Sequence, residues 1–190
     1  MSEQSVSDIE RSGLLADDRH GAILDEDREY RYSLTRTWDT EKPTLAWIML
    51  NPSTADETED DPTIRRCIGF AKDRGYGSIE VANLFALRAT DPDELQQHPA
   101  PVGEENDAHL QRVCDQAEMV VAAWGAKGGL QNRAGEVAQL LDADLYALDT
   151  TVEGHPVHPL YQPSDAELEP WNESHLKPNS AQSGGESDGD

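Results

Sequence analysis

Apolar residues in this chain cluster into four short runs, Leu45 to Leu50, Ile79 to Ala82, Met119 to Ala123 and Leu145 to Leu148. The first is apolar at every position, which predicts a central strand covered on both faces, and the other three read as buried parallel strands beside it. Between the runs the spacing changes to that of helices. Asp61-Pro62 is a helix start, with Asp as cap and Pro at the first helical position, and Ile64, Cys67, Ile68 and Ala71 form the stripe behind it. Gly75 and Gly77 close that helix. Asp91-Pro92 repeats the start signal, Gln96 to Pro101 reads as loop, and a longer helix is predicted from about Gly103 to Ala117 with Ala108, Leu110, Val113, Cys114 and Ala117 facing inward. Leu130 to Leu141 is predicted helical. Upstream, Gly21 to Asp25 and Tyr30 to Thr37 read as an antiparallel hairpin, in which Tyr30, Tyr32 and Leu34 alternate with Arg31 and Ser33 as in a strand with one wet face.

A hairpin followed by alternating strand and helix predicts an α/β fold: a three-layer sandwich with a mostly parallel central sheet and an N-terminal antiparallel hairpin. Residues 19–171 read as one domain. Residues 1–18 read as a loose acidic arm and 172–190 as an acidic tail too polar to pack, with a short turn of helix expected between Ser164 and Trp171. There are no internal repeats.

Polar motifs stand directly behind the apolar runs: Asn51-Pro52-Ser53-Thr54, Asn83-Leu84-Phe85 through Arg88, Trp124-Gly125, and His155-Pro156-Val157-His158-Pro159. Right-handed crossovers would bring these strand-end loops to one rim, where open α/β sheets bind ligands. Asn51 reads either as a polar ligand anchor, with Asp56 as a base, or as an Asx-type turn that satisfies its own backbone. Ser53 and Thr54 add hydroxyls and backbone donors. Asn83, an amide behind a buried strand, must find partners. It either grips an amide-like edge such as a nucleobase or bonds a neighbouring loop. Arg88 suits a phosphate or a carboxylate. Gly125, after Trp124, allows close backbone approach, and Lys127-Gly128-Gly129 enters a helix without a full phosphate-loop motif. His155 and His158 could ligate a metal or polarise a carbonyl, though their Pro-spaced loop is not the helical His-x-x-x-His arrangement. The acids between Asp56 and Asp61 could hold Mg²⁺ or Ca²⁺ or form a solvated face. No metal site is assigned and no cofactor is expected.

Composition narrows the picture. With 38 acidic against 15 basic residues the net charge is −23, and the acid is spread along the chain. Dispersed excess of this kind suits a salt-accumulating halophile, where screening shortens self-repulsion. It weakens a simple case for nucleic-acid binding, which needs Lys and Arg. A local patch is still available in the middle third, from Arg65, Arg66, Lys72, Arg74, Arg88, Lys127 and Arg133. Cys67 and Cys114 have no CxxC partner and read as buried thiols of a reducing compartment. No secretory h-region and no stretch near the ~20 apolar residues of a membrane span is visible, so a soluble, cytoplasmic protein without membrane partners is expected. The sequence fixes no oligomeric state.

Leu50-Asn51-Pro52-Ser53-Thr54-Ala55, Asp61-Pro62-Thr63-Ile64-Arg65-Arg66, Asn83 through Thr90 and His158-Pro159-Leu160-Tyr161 resemble the hallmark blocks of the domain-of-unknown-function 1643 family, over about residues 20 to 162. That family carries no established activity. A looser resemblance is to uracil-DNA glycosylases, whose motifs follow the same serial order. It implies a glycosylase-like fold, with Asn83 reading the base, His158 stabilising the oxygen of the leaving base, and Asn51 or Asp56 positioning or activating water. The chemistry would be glycosidic cleavage on a flipped nucleotide. Met49-Leu50 stand where the glycosylase loop has Gly and an acidic or amide residue, and the His-Pro loop lacks the usual Ser. The expected function is therefore binding of a nucleobase, nucleotide or nucleic acid at a glycosylase-like cleft, with N-glycosidic cleavage as its chemistry. The alternatives left open are a metal-dependent or small-molecule hydrolase on the same rim and a noncatalytic interaction module.

Overall fold

The computed structural model describes residues 20–53 and 58–178. The expected N-terminal arm, the loop residues Thr54 and Asp56, and the tail beyond 178 lie outside them. Chain order begins with a hairpin, β1 (His20–Leu24) and β2 (Arg31–Thr37), followed by β3 (Thr44–Met49), α1 (Pro62–Asp73), β4 (Ser78–Asn83), α2 (Asp93–Gln97) and α3 (Asn106–Gln116). Then come β5 (Met119–Ala122), α4 (Arg133–Leu140), β6 (Leu145–Ala147) and β7 (Glu169–Trp171). The seven strands form one sheet in the order β1-β2-β4-β3-β5-β6-β7. β4, β3, β5 and β6 run parallel, while β1, β2 and β7 pair antiparallel at the two edges.

Side-chain alternation along β3 decides the layers. Leu45, Trp47 and Met49 pack with Ile64, Cys67, Phe70 and Ala71 of α1. Ala46 and Ile48 pack on the other face with Leu110, Val113 and Cys114 of α3 and Ala134 and Val137 of α4. Helices therefore cover the sheet on both sides, as the uniformly apolar β3 run demands. Asp61 caps α1 by accepting the Ile64 N–H at 2.8 Å, with Pro62 in the first turn. Both cysteines are buried, and burial pushes the Cys114 thiol up to about 12 and the Cys67 thiol higher still. Among the described residues no helix is long and apolar enough to cross a membrane.

The topology contains a switch. From β3 the chain passes through α1 to β4 on one side, and from β5 it passes through α4 to β6 on the other. Neighbouring parallel strands whose crossovers diverge leave a crevice at their carboxyl ends.

Several expectations are corrected. Leu130 to Leu141 is not one helix. Gln131 (φ 53°) and Asn132 (φ 56°) are both left-handed, so a 3-10 stretch, Ala126–Asn132, ends there and α4 begins only at Arg133. α3 starts at Asn106, because Gly103 (φ 87°) turns the chain against Tyr30 and Tyr32, and Ala108 faces solvent. Residues 169–171 form an edge strand on β6 rather than helix, fixed by Trp171, which buries its ring edge-on to Trp124 (centroids 5.0 Å) and donates to the Gly154 carbonyl at 2.9 Å. From the expected tail, Glu173–His175 form a 3-10 turn capped by Asn172.

The hairpin carries the most consequential departure. Ile23 pairs with Ser33 but Leu24 pairs with Arg31, which leaves Tyr32 as an extra residue, a β-bulge. Tyr32 stacks on His109 of α3 (centroids 4.8 Å), and Ser33 Oγ lies 3.4 Å from the Arg112 guanidinium of α3. Two successive side chains thus face the α3 layer, and alternation restarts with Arg31 on the opposite face. The expected wet face is absent: Arg31, Ser33 and Arg36 are all buried.

Candidate functional site

Four of the strand-end segments meet at the switch point. Met49 through Ser53 from the end of β3, Asn83 from β4, Trp124 after β5 and His158 from the His-Pro loop line one cleft of about 260 Å³, together with Arg31, Val81, Ala89, Thr90 and the first turn of α1. The loops are tied to one another by backbone. Leu84 and Phe85 donate to the carbonyls of Met49 and Leu50 at 2.9 and 3.0 Å, Ala89 donates to Pro52 at 3.1 Å, and Gly125 donates to Pro156 at 2.8 Å. Gly125 (φ 77°) makes the turn that allows the last of these.

Asn83 is the last residue of β4, on the same face as Val81, and is only 3 % exposed. Its carboxamide has no hydrogen-bond partner among the described residues, although it lines the cleft. Its backbone, in contrast, is held firmly. Asn106, fully buried on α3, donates its amide to the carbonyls of Asn83 and Leu84 at 2.9 and 3.1 Å. Arg133, 4 % exposed at the start of α4, adds Nε to the Leu84 carbonyl at 2.8 Å and pairs with Asp107 and Glu136. Asn106 was not singled out from sequence, and Arg133 only as a member of a possible basic patch. A buried polar residue inside an amphipathic stripe was the available signal for Asn106.

Asn51 spends its amide nitrogen on the carbonyls of Pro52 (3.1 Å) and Ala89 (2.9 Å). Two carbonyl acceptors require the NH₂ on that side, which turns Oδ1 the other way. Ser53 and Thr63 line the cleft, as does Asp61, whose Oδ1 is engaged by the Ile64 N–H. His158 accepts the Leu160 N–H at Nδ1 (3.3 Å), so its neutral form carries the proton on Nε2. Burial lowers its pKa below the ordinary 6.5, and the Asp61 carboxylate only partly opposes that.

Other candidates lie elsewhere. His155 belongs to a second cavity of about 790 Å³, lined also by Lys127, Gly129, Asn132, Glu153 and Lys177. There its Nδ1 accepts the Trp124 indole N–H at 3.4 Å, and burial lowers its pKa as well. The two imidazoles therefore do not converge. Among the described residues no three His, Cys, Asp or Glu side chains gather as a metal set. Arg88 donates to the Arg28 carbonyl at 3.1 Å and does not line the cleft. Thr54 and Asp56 lie outside the described residues.

The cations anticipated as a patch in the middle third do not gather at the cleft, although Arg65 and Arg66 line a separate small cavity with Asp73. Arg66 and Arg74 donate to the carbonyls of Gln162 and Ala166, Arg133 to Leu84, and Arg88 to Arg28. Lys72 lies over the Trp38 ring, and Lys127 faces Asp93 at 4.0 Å. The cleft instead contains Arg31, which the alternation pattern had assigned to solvent. No sequence signal marks it: the bulge at Tyr32 puts Tyr30 and Tyr32 on the face opposite Leu34, and only the pairing with β1 reveals it.

A family model described as a protein of unknown function (DUF1643) matches residues 31–160. The match takes in β2 through the His-Pro loop, and so every described segment of the cleft. No curated protein and no solved structure matches the chain.

Proposed function

The chain belongs to the DUF1643 family, and from that premise we propose that its cleft recognises the base of a nucleotide and hydrolyses the N-glycosidic bond. The observation that carries this reading is the Asn83 carboxamide: it belongs to a residue only 3 % exposed, is held rigid from behind, opens onto the cleft, and has no hydrogen-bond partner among the described residues. Covering such an amide with a ligand that leaves it unpaired costs about 1–3 kcal/mol. A ligand that presents an adjacent donor and acceptor, as base edges do, recovers that cost. The cleft's volume of about 260 Å³ suits a small ligand.

In this mechanism the oxygen of a water attacks the anomeric carbon while the C–N bond breaks and its electron pair leaves with the base. His158 donates Nε2–H to the base oxygen on which charge develops. Asn51 Oδ1 orients the water, and the Asp61 carboxylate, on the same cleft wall, takes its proton. The sequence offers Asp56 as another base for that step. The serial order of Asn51, Asn83, Trp124-Gly125 and His158-Pro159 is similar to that of uracil-DNA glycosylases, which supports the assignment. A noncatalytic base-binding module is the second reading. It is favoured by the commitment of the Asn51 nitrogen to loop carbonyls.

The test is calorimetric titration of bases, nucleosides and nucleotides in molar KCl, with chromatography for released base. Asn83→Ala is expected to lose binding about tenfold or more, the worth of one or two buried hydrogen bonds. His158→Ala is expected to retain binding and lose base release. Undiminished binding by Asn83→Ala ends the base-reading role. Binding without release in the wild type selects the second reading.

A further inference from the structure

Among the described residues, the cleft is lined by one arginine that the base-reading mechanism does not use. Arg31 is 7 % exposed and lines the same cavity as Asn83, Asp61 and His158. It arrives there through the Tyr32 bulge: counted back from Leu34, which packs on the α1 side, strict alternation would have put Arg31 on the α3 face and Tyr30 and Tyr32 on the other. Bulges are common where a strand must re-aim one side chain near a site. A guanidinium is a planar fork that matches a phosphate or carboxylate.

The rest of the charge distribution specifies the kind of anion. A polymer needs cations along a track. Here Arg66, Arg74, Arg88 and Arg133 are turned onto backbone carbonyls of the protein itself. The surrounding surface belongs to a chain of net charge −23, which repels a polyanion. One arginine and one base-sized recognition group lining the same cleft fit a ligand with one base and one phosphate.

Resting on the proposed base-reading role of Asn83, we propose that the ligand is a free nucleoside monophosphate and that Arg31 binds its phosphate. The experiment is titration in molar KCl of wild type, Arg31→Gln and Arg31→Lys with the four common nucleosides, their 5′-monophosphates, ribose 5-phosphate and a single-stranded oligonucleotide. At least one monophosphate is expected to bind wild type about tenfold or more tightly than its nucleoside, as one charge-assisted pair is worth. Arg31→Gln removes that difference and leaves nucleoside binding unchanged, and Arg31→Lys restores part of it. Equal binding of nucleoside and monophosphate by wild type overturns the phosphate role and leaves base reading intact. So does a preference that survives in Arg31→Gln. An oligonucleotide that outcompetes every monophosphate overturns the assignment to a free nucleotide. Failure of every probe to bind wild type removes the base-reading role and this inference together. If Arg31→Gln does not fold, the wild-type comparison still tests whether a phosphate is recognised, and a monophosphate preference undiminished in Arg31→Lys overturns the role of Arg31.

Discussion

Asn106 and Asn83 form a back-to-front pair across β4. The amide of Asn106 grips the Asn83 carbonyl at 2.9 Å from the α3 side, while the Asn83 side chain faces the cleft on the other. Both are buried asparagines, yet one is spent on the fold and the other is not.

Asn106→Ala should therefore be costly. It leaves the Asn83 carbonyl and one acceptor site of Leu84 without a donor, although it also removes Asn106 Oδ1, which has no partner among the described residues. The net loss is expected at about 2–3 kcal/mol, read as a lower midpoint in denaturant melts at fixed salt.

Asn83→Ala should behave in the opposite way. No hydrogen bond among the described residues is lost, so its melting midpoint stays within about 1 kcal/mol of wild type or rises, as at sites where function is held at the expense of stability. A fall as large as that of Asn106→Ala would make Asn83 a structural residue.

Gly128 marks a close approach. A Cβ there would stand 2.0 Å from Trp124 Cδ1 and 2.4 Å from its Nε1. Gly128→Ala is expected to displace the indole from His155 and to destabilise the protein by about 1–3 kcal/mol through overpacking. Tryptophan emission shifted to the red would accompany the loss. An unshifted spectrum with unchanged stability would contradict the packing described.

The two histidines of the His-Pro loop give a signed pH effect. Burial puts both below the ordinary 6.5 in the folded protein. The unfolded chain therefore takes up these protons first, and their contribution to stability is complete above about pH 6.5 and lost as pH falls through the folded values. The Cε1–H resonances of His155 and His158 should titrate below the ordinary 6.5. Thermal melts between pH ~7.5 and ~5.5 should fall more for wild type than for the His155→Gln, His158→Gln double variant.

Salt should act on the whole molecule. If the acid excess is an adaptation to a salty cytoplasm, raising KCl from ~0.1 M to ~1 M, which shortens the Debye length from about 10 to about 3 Å, raises the unfolding midpoint. A midpoint that falls or stays level over that range would separate the composition from halophily.

Much of the framework could be read directly from the chain. The uniformly apolar Leu45 to Leu50 announced a strand covered on both sides, and Asp61-Pro62 announced the start of α1, because both signals are local. The meeting of Asn51, Asn83, Trp124 and His158 followed from parallel topology alone. What escaped was set by tertiary contacts. A bulge is invisible until the partner strand fixes the register, so Arg31 looked exposed. The left-handed Gln131 and Asn132 have no sequence mark comparable to glycine. Asn106 stood as a polar residue in an apolar stripe and Arg133 as one of a possible basic patch, and only the geometry of Leu84 shows what they hold.

The inward turn of the arginines also bears on how the chain tolerates change. Each fork that grips a carbonyl joins segments far apart in sequence, as Arg66 does with Gln162 and Arg133 with Leu84. Lysine, with a single ammonium, cannot reproduce the forked grip, so exchanges usually counted as conservative would loosen the joints between loops while leaving the helices and strands intact.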